Sequence, residues 1–166
     1  MTKQSFRIEF WEENHPRWPE LKELSASLGD SKYVFIDDDP VPFFASIALD
    51  KDHNLIGYHV FLIQPIGPEM YTSPVSDRNG NTLYEAKIRG LHVLKPWRNQ
   101  GIGTKLQELI LQKAGELDLF QVRSFSARSR VENYAVKMKL GFACHPELRT
   151  LKDGSTYEGV YWVKRV

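Results

Sequence analysis

The chain has 166 residues, 42% of them hydrophobic and 26% charged, enough for a single domain over residues 1–166 that buries roughly 70% of the surface its unfolded chain would expose. Gly and Pro, 11 and 9 residues, are near ordinary usage, which excludes a collagen-like or low-complexity scaffold. A formal net charge of +1 supplies no broad field for a polyanion or an anionic bilayer, so no nucleic-acid and no membrane partner is expected.

Cys144 is the lone cysteine, so no internal disulfide can form, and the start of the chain has no apolar signal-peptide core. Both features point to the cytoplasm. The longest nearly apolar stretch, Val41 to Leu49, falls far short of the roughly 20 residues of a membrane-spanning helix.

Phe6, Ile8 and Phe10 alternate with Arg7 and Glu9, the period of a strand buried on one face. From Asn14, a cap, through Leu21, Leu24 and Leu28 the apolar spacing shifts toward 3.6, with Pro16 and Pro19 in the first turn and Gly29 as the stop. Phe43 to Leu49 and Leu55 to Ile63 flank the turn-forming Asp50 to Asn54 and read as a hairpin. Gln64 to Asn81, with its prolines and the Asn79-Gly80 pair, reads as a long connection with a hairpin tip, and loops of that length often shape a binding site.

Leu83 to Leu94 reads as a strand. In Thr104 to Leu117 the residues Leu106, Leu109, Ile110, Ala114 and Leu117 share one face of a helix while Lys105, Glu108, Gln112 and Glu116 occupy the other. Phe120 to Ser126 is another strand. Ser129 and Glu132 have the spacing of a capping box that opens a helix ending at Gly141. Glu147 to Leu151 and Thr156 to Lys164 flank Asp153-Gly154 as a final hairpin, whose exposed edge could pair with another copy as a homodimer. This order predicts one mixed α/β sheet with helices on its faces.

The chemistry concentrates in Arg98-Asn99-Gln100-Gly101-Ile102-Gly103, between a strand and a helix. Two glycines let a ligand approach the backbone, and the first amides of the helix point at it with the positive end of the helix dipole behind them. Such a turn favours a pyrophosphate. A dinucleotide fingerprint would need a third glycine where Leu106 stands, and a P-loop would need Gly-Lys-Ser/Thr where the chain has Gly103-Thr104-Lys105.

The pattern Arg/Gln-x-x-Gly-x-Gly/Ala, preceded by Leu91-His92-Val93 and followed by a helix, a strand, a second helix and Leu140-Gly141-Phe142, resembles the GNAT superfamily of acyl-CoA N-acetyltransferases. The resemblance is best from Ile88 to Phe142. It implies a single mixed, mostly antiparallel sheet flanked by helices, with acetyl-CoA as cosubstrate and an amine as acceptor. It places the CoA pyrophosphate on Arg98, Asn99, Gln100, Gly101, Ile102, Gly103 and Thr104. Main-chain groups of Leu91, His92 and Val93 would hold the pantetheine arm and acetyl carbonyl, and such donors also stabilise an oxyanion.

The family pattern has an Asn and a Tyr in the second helix, the latter proposed to protonate the leaving thiolate. Here those positions fall on Arg130 and Lys137, while Asn133 and Tyr134 lie one helical turn away, so the resemblance passes the CoA contact to Asn133 and the acid to Tyr134. Lys137 would instead contact a CoA phosphate or lie in water. The family's carboxylate base position falls on Lys87; Glu85, two residues earlier on the same strand face, is the candidate base. The alternative reading of Glu85 is a salt bridge with Lys87 or Arg89, and His92 is the alternative titrating group.

Trp11, Trp18 and Trp97 either line an acceptor pocket or cover the core, and Arg123, Arg128 and Arg130 stand where a CoA 3′-phosphate could pass. Asp37 to Asp39 read as a solvated acidic turn before Pro40 or as a group that attracts a cationic amine, Cys144 reads as structural, and no Cys/His spacing suits a metal. Three functions follow: acetyl transfer to a primary amine of a small molecule, the same chemistry on a peptide or protein, and a non-catalytic acyl-CoA-binding or protein-interaction domain.

Overall fold

A computed structural model describes residues 5–35, 41–70, 72–150 and 154–166, with Met70 described by its backbone alone. Two expectations, the Asp37 to Asp39 turn and the Asp153 half of the last hairpin turn, lie outside the described residues. Seven strands form one sheet in the order β1-β2-β3-β4-β5-β7-β6. They are β1 (Phe6–Glu12), β2 (Phe43–Asp50), β3 (Leu55–Pro65), β4 (Tyr84–Val93), β5 (Gln121–Ala127), β6 (Ala143–Thr150) and β7 (Thr156–Arg165). Every neighbouring pair is antiparallel except β4 and β5. The mixed, mostly antiparallel sheet expected from the sequence is therefore present.

Helices α1 (Trp18–Ser27) and α2 (Ser31–Val34) cover one face, and α3 (Ile102–Glu116) and α4 (Val131–Lys139) the other. The period-two pattern of β3 divides accordingly. Tyr58, Val60 and Leu62 join Trp11, Trp18 and Leu21 under α1, while Phe61 packs with Ile110, Ala114 and Trp162 on the α3/α4 side. Trp11 and Trp18 are 1% and 3% exposed, so they belong to the core. Trp97 packs half-buried beside Ile102 and Leu106.

Helix ends depart from the sequence reading in three places. Helix α1 starts at Trp18, with Arg17 at its cap and Pro19 in its first turn, so Asn14 and Pro16 precede it. Gly29 does end it, at φ 73°, where a residue with a Cβ is strained. Helix α4 is capped at Arg130 with no side-chain cap bond, so the Ser129 and Glu132 capping box does not form. Leu117 is the C-cap residue of α3 and 45% exposed, and Gln107 takes a buried place on that helix instead.

The connection from β3 to β4 is stitched by backbone bonds, Ile66 N to Leu83 O and Val75 N to Ile66 O. Its tip is the expected Asn79-Gly80 turn, where both Asn79 N and Asn81 N donate to Asp77 Oδ1. Strand β6 is the outer edge of the sheet, mostly exposed, and carries Pro146 and the exposed Cys144. Cys144 is thus a surface residue, and Pro146 removes one donor from that edge. Among the described residues no helix is long and apolar enough to cross a membrane.

Candidate active site

Strands β4 and β5 run parallel, yet pair only over Glu85↔Gln121, Ala86↔Val122 and Lys87↔Arg123. Beyond that last pair β4 continues to Val93 and β5 to Ala127, each bonded to its other neighbour, β3 or β7. The two strands therefore form a V with Lys87 and Arg123 at its vertex. A bulge contributes to the divergence. Val60 opposes Gly90 and Phe61 opposes Ile88, leaving Arg89 as an extra residue in β4, and an extra residue bends its strand. From Ile88 onward the β5-facing edge of β4 lacks a ladder, so an extended ligand can meet its main-chain groups as a strand would.

The open end of the V leads to the N-terminus of α3. After the short 3-10 turn Lys95–Trp97, Asn99 and Gly101 take φ of 62° and 84°. The loop is tied to β4 by Arg98 Nε, which donates to Val93 O at 2.9 Å. The first helical bond runs from Lys105 N to Gly101 O at 3.1 Å. The amides of Ile102, Gly103 and Thr104 thus have no acceptor inside the helix. A Cβ added at Gly101 or Gly103 would meet nothing within 4 Å, so the loop is open beside both glycines. Ile102 and Leu106, 1% and 0% exposed, fix the helix end against the sheet. A diphosphate at the loop, with an extended arm entering the V, fits these residues by charge and by shape.

The sequence profile described as the Acetyltransferase (GNAT) family matches residues 4–142. The chain belongs to the GNAT acetyltransferase family. No curated protein matches the sequence. Among solved structures, Arabidopsis thaliana NAA60 in complex with acetyl-CoA superposes with a TM-score of 0.72 at 14% identity, covering 96% of this chain and 99% of that one. An IAA acetyltransferase from Bacillus cereus gives 0.57 at 15%, covering 98% and 100%. Arabidopsis thaliana Naa50 in complex with the bisubstrate analogue CoA-Ac-MVNAL gives 0.61 at 14%, covering 92% and 97%. At these identities the likeness is one of fold, and it extends over nearly the whole chain.

Within this GNAT fold the residues singled out by sequence fall into three groups. Leu91, His92 and Val93 line the β4 arm of the V and Arg98 to Thr104 form the loop, so these lie along one path. His92 Nδ1 is 3.1 Å from Asp30 Oδ2, which also accepts the Tyr58 hydroxyl at 3.0 Å. The histidine thereby anchors the corner between α1 and α2 to the sheet. Burial, together with the Asp30 charge, raises the Tyr58 pKa above its ordinary value and keeps that hydroxyl a donor.

Glu85 is fully buried, and its carboxylate accepts from Arg123 Nε at 2.9 and 3.0 Å, Arg123 Nη2 at 2.7 Å, Gln64 Nε2 at 3.0 Å and Gln121 Nε2 at 2.7 Å. A base needs a lone pair facing the acceptor. This geometry gives the Glu85 carboxylate to Arg123 instead, a partner on β5, not the Lys87 or Arg89 neighbours weighed from sequence. Arg123 is consequently buried, apart from the exposed Arg128 and Arg130, and the three do not form one phosphate-binding group.

On α4, Tyr134 packs edge-on against Trp162 with ring centroids 5.2 Å apart, and Asn133 is half-buried in the first turn. Lys137 does not lie in water: it is 3% exposed, its Nζ donates to Gln107 Oε1, and it stands 4.4 Å from the Phe142 ring centroid. Desolvation lowers its pKa to about 7. Nearby His59 is fully buried with both ring nitrogens unpartnered, and burial plus the Lys137 charge holds its pKa well below the ordinary value. Local patterning carried no signal for Lys137 and Gln107, since a charged side chain at helical spacing reads as a solvated one.

Proposed function

We propose that this GNAT protein transfers acetyl from acetyl-CoA to a primary amine of a small molecule by direct attack, with no covalent enzyme intermediate. The observation that carries this reading is the V between β4 and β5 ending on the open, glycine-lined N-terminus of α3. Amides of Ile102, Gly103 and Thr104 would bind the diphosphate, with Arg98, Asn99, Gln100 and Gly101 shaping the turn. Main-chain groups of Leu91, His92 and Val93 would hold the thioester arm and the developing oxyanion. Acetyl-CoA supplies the activated acyl group; the protein contributes position and fixed dipoles.

The amine nitrogen must arrive neutral to attack, and the thiolate that departs must regain a proton. Tyr134 is the α4 side chain that the resemblance implies for this step. Asn133, in the same turn as Tyr134, is read as a contact to the arm. A peptide N-terminus is the second acceptor class, favoured by the fold likeness to the NAA60 and Naa50 structures.

The deciding experiment is calorimetric titration with acetyl-CoA, followed by thiol release with a panel of amines, on the wild type and Gly101→Glu. Saturable one-site binding that the variant loses, with multiple-turnover release, supports the reading. Binding without turnover on any amine or peptide assigns the chain to acyl-CoA binding alone, and no binding up to millimolar concentration removes the reading.

A further inference from the structure

At the vertex of the V three cations converge on the α1/α2 side of the sheet. Lys87 and Arg123 are the last paired residues of β4 and β5, and their side chains are 5% and 3% exposed. Arg149 reaches in from β6. All three surround one aromatic ring, with cationic centres 5.1, 5.2 and 5.9 Å from the Tyr161 centroid. Glu85 offsets one of these charges within the sheet, where its oxygens are fully used. The remaining charge is met by a carboxylate from outside the sheet.

That carboxylate is Glu69, in the short 3-10 turn Pro68–Met70 of the β3–β4 connection. It accepts from Lys87 Nζ at 2.8 Å, Arg123 Nη2 at 2.7 Å and Gln64 Nε2 at 2.9 Å, and lies 3.9 Å from Arg149 Nη2. Even so, one buried donor of the cluster, Arg123 Nη1, has no hydrogen-bond partner. A planar guanidinium at 2% exposure with an orphaned N–H is a site for one more acceptor oxygen. The strand geometry puts Arg123 where the arms of the V meet, the end of the path that the thioester would follow.

We propose that Lys87, Arg123 and Arg149 are the carboxylate-recognition site of the acceptor, that the acceptor is a small amine bearing a carboxylate, as an amino acid does, and that Glu69 holds its place when no acceptor is bound. The proposal rests on the acetyl-transfer reading for its reaction and on the cation cluster for its ligand. The acceptor carboxylate replaces that of Glu69 and adds an oxygen for Arg123 Nη1, so its amine is held at the mouth of the V. There the amine nitrogen bonds to the acetyl carbon and the C–S bond breaks. Of the two protons that the ammonium gives up, one ends on the CoA sulfur and the other in solvent. Tyr161, an apolar ring among the cations, excludes water from them and strengthens each charge-assisted bond.

The test compares L-amino acids with their carboxamides, which keep the amine and lose the charge. Thiol release from acetyl-CoA and calorimetric titration without acetyl-CoA are both read. Expected are turnover and binding with acids and at least tenfold less with amides. Arg149→Gln should raise KM about ten- to hundredfold, the weight of one charge-assisted bond. Glu69→Gln should lower KM, because it removes the internal competitor while keeping the shape; a structural role for Glu69 alone would raise KM or leave it unchanged.

Equal turnover of acids and amides, or turnover of peptides only, overturns the carboxylate site and leaves acetyl transfer standing. Acid binding that Arg149→Gln weakens, in a protein that takes no acetyl-CoA, upholds the site and overturns the transfer reading. Absence of acid binding by both the wild type and Glu69→Gln overturns the site whatever the donor result.

Discussion

Replacing Glu85 by glutamine keeps the size of the side chain and removes the charge that faces Arg123. The carboxylate is fully buried and receives five hydrogen bonds from three residues. An amide nitrogen in place of one oxygen would face donors with a donor and leave a cation at 2% exposure undercompensated. Breaking a buried pair from one side costs about 3–5 kcal/mol. Arg123 keeps Glu69 on Nη2, so the expected loss is at the lower end, about 3 kcal/mol. For a chain of this length that corresponds to a fall in Tm of roughly 6–12 °C.

Thermal and urea unfolding of Glu85→Gln measure this loss, and the pH–rate profile of acetyl transfer, taken below the new Tm, measures the other half of the argument. An anchoring carboxylate predicts a destabilised protein whose acid limb is unchanged. A variant within 1 kcal/mol of wild type that loses the acid limb would refute the anchor and restore Glu85 as base.

Lys87 and Lys137 have pKa values lowered by burial to about 8 and about 7 from 10.5. Between those values and 10.5 the unfolded chain binds protons that the folded one has lost, so urea stability should rise with pH in that window, and Lys137→Met should reduce the rise. Glu69 is disfavoured as a charge by burial, yet Lys87, Gln64 and Arg123 hold its pKa down to about 2 from 4.5. Its contribution is present above 4.5 and lost as pH falls toward 2, and Glu69→Gln should flatten acid unfolding there. Tyr134→Phe should lower kcat about 10²-fold or more if that hydroxyl protonates the thiolate. Unchanged turnover in Tyr134→Phe would remove that role. A Cβ at Gly159 would lie 2.2 Å from Phe125 Cζ and 2.5 Å from Ser126 O, so Gly159→Ala should cost about 1–3 kcal/mol in urea unfolding.

What the sequence made legible is what short-range physics determines. The β2–β3 hairpin follows from alternation around Asp50 to Asn54, α3 from its apolar stripe, and the loop from Gly101 and Gly103. The starts of α1 and α4 were misplaced because caps are chosen by how the chain enters the fold, and Arg130 came to occupy the cap where Ser129 had the better side chain. Three site features could not be read locally. Glu85 meets Arg123 from 38 residues away, and Glu69 meets the same guanidinium from 54. Lys137 is buried only because Gln107 of another helix receives it. Each depends on the parallel pairing of β4 with β5, or on the stacking of two helices, which no local pattern encodes.

The extra residue at Arg89 also acts as a parity switch. Upstream of it, odd-numbered Glu85 and Lys87 look toward α1 and α2; downstream, odd-numbered Leu91 and Val93 pack against Ile102 and Leu106 beneath α3, while even-numbered His92 looks toward Asp30. The odd-numbered positions of one strand therefore present charged residues to the α1/α2 side over its first half and apolar ones to the α3 side over its second. A regular ladder that kept residue 89 would turn Leu91 and Val93 toward α1 and α2, whereas one that lost it would leave them beneath α3: the bulge, by absorbing one residue, sets the frame of the strand's second half.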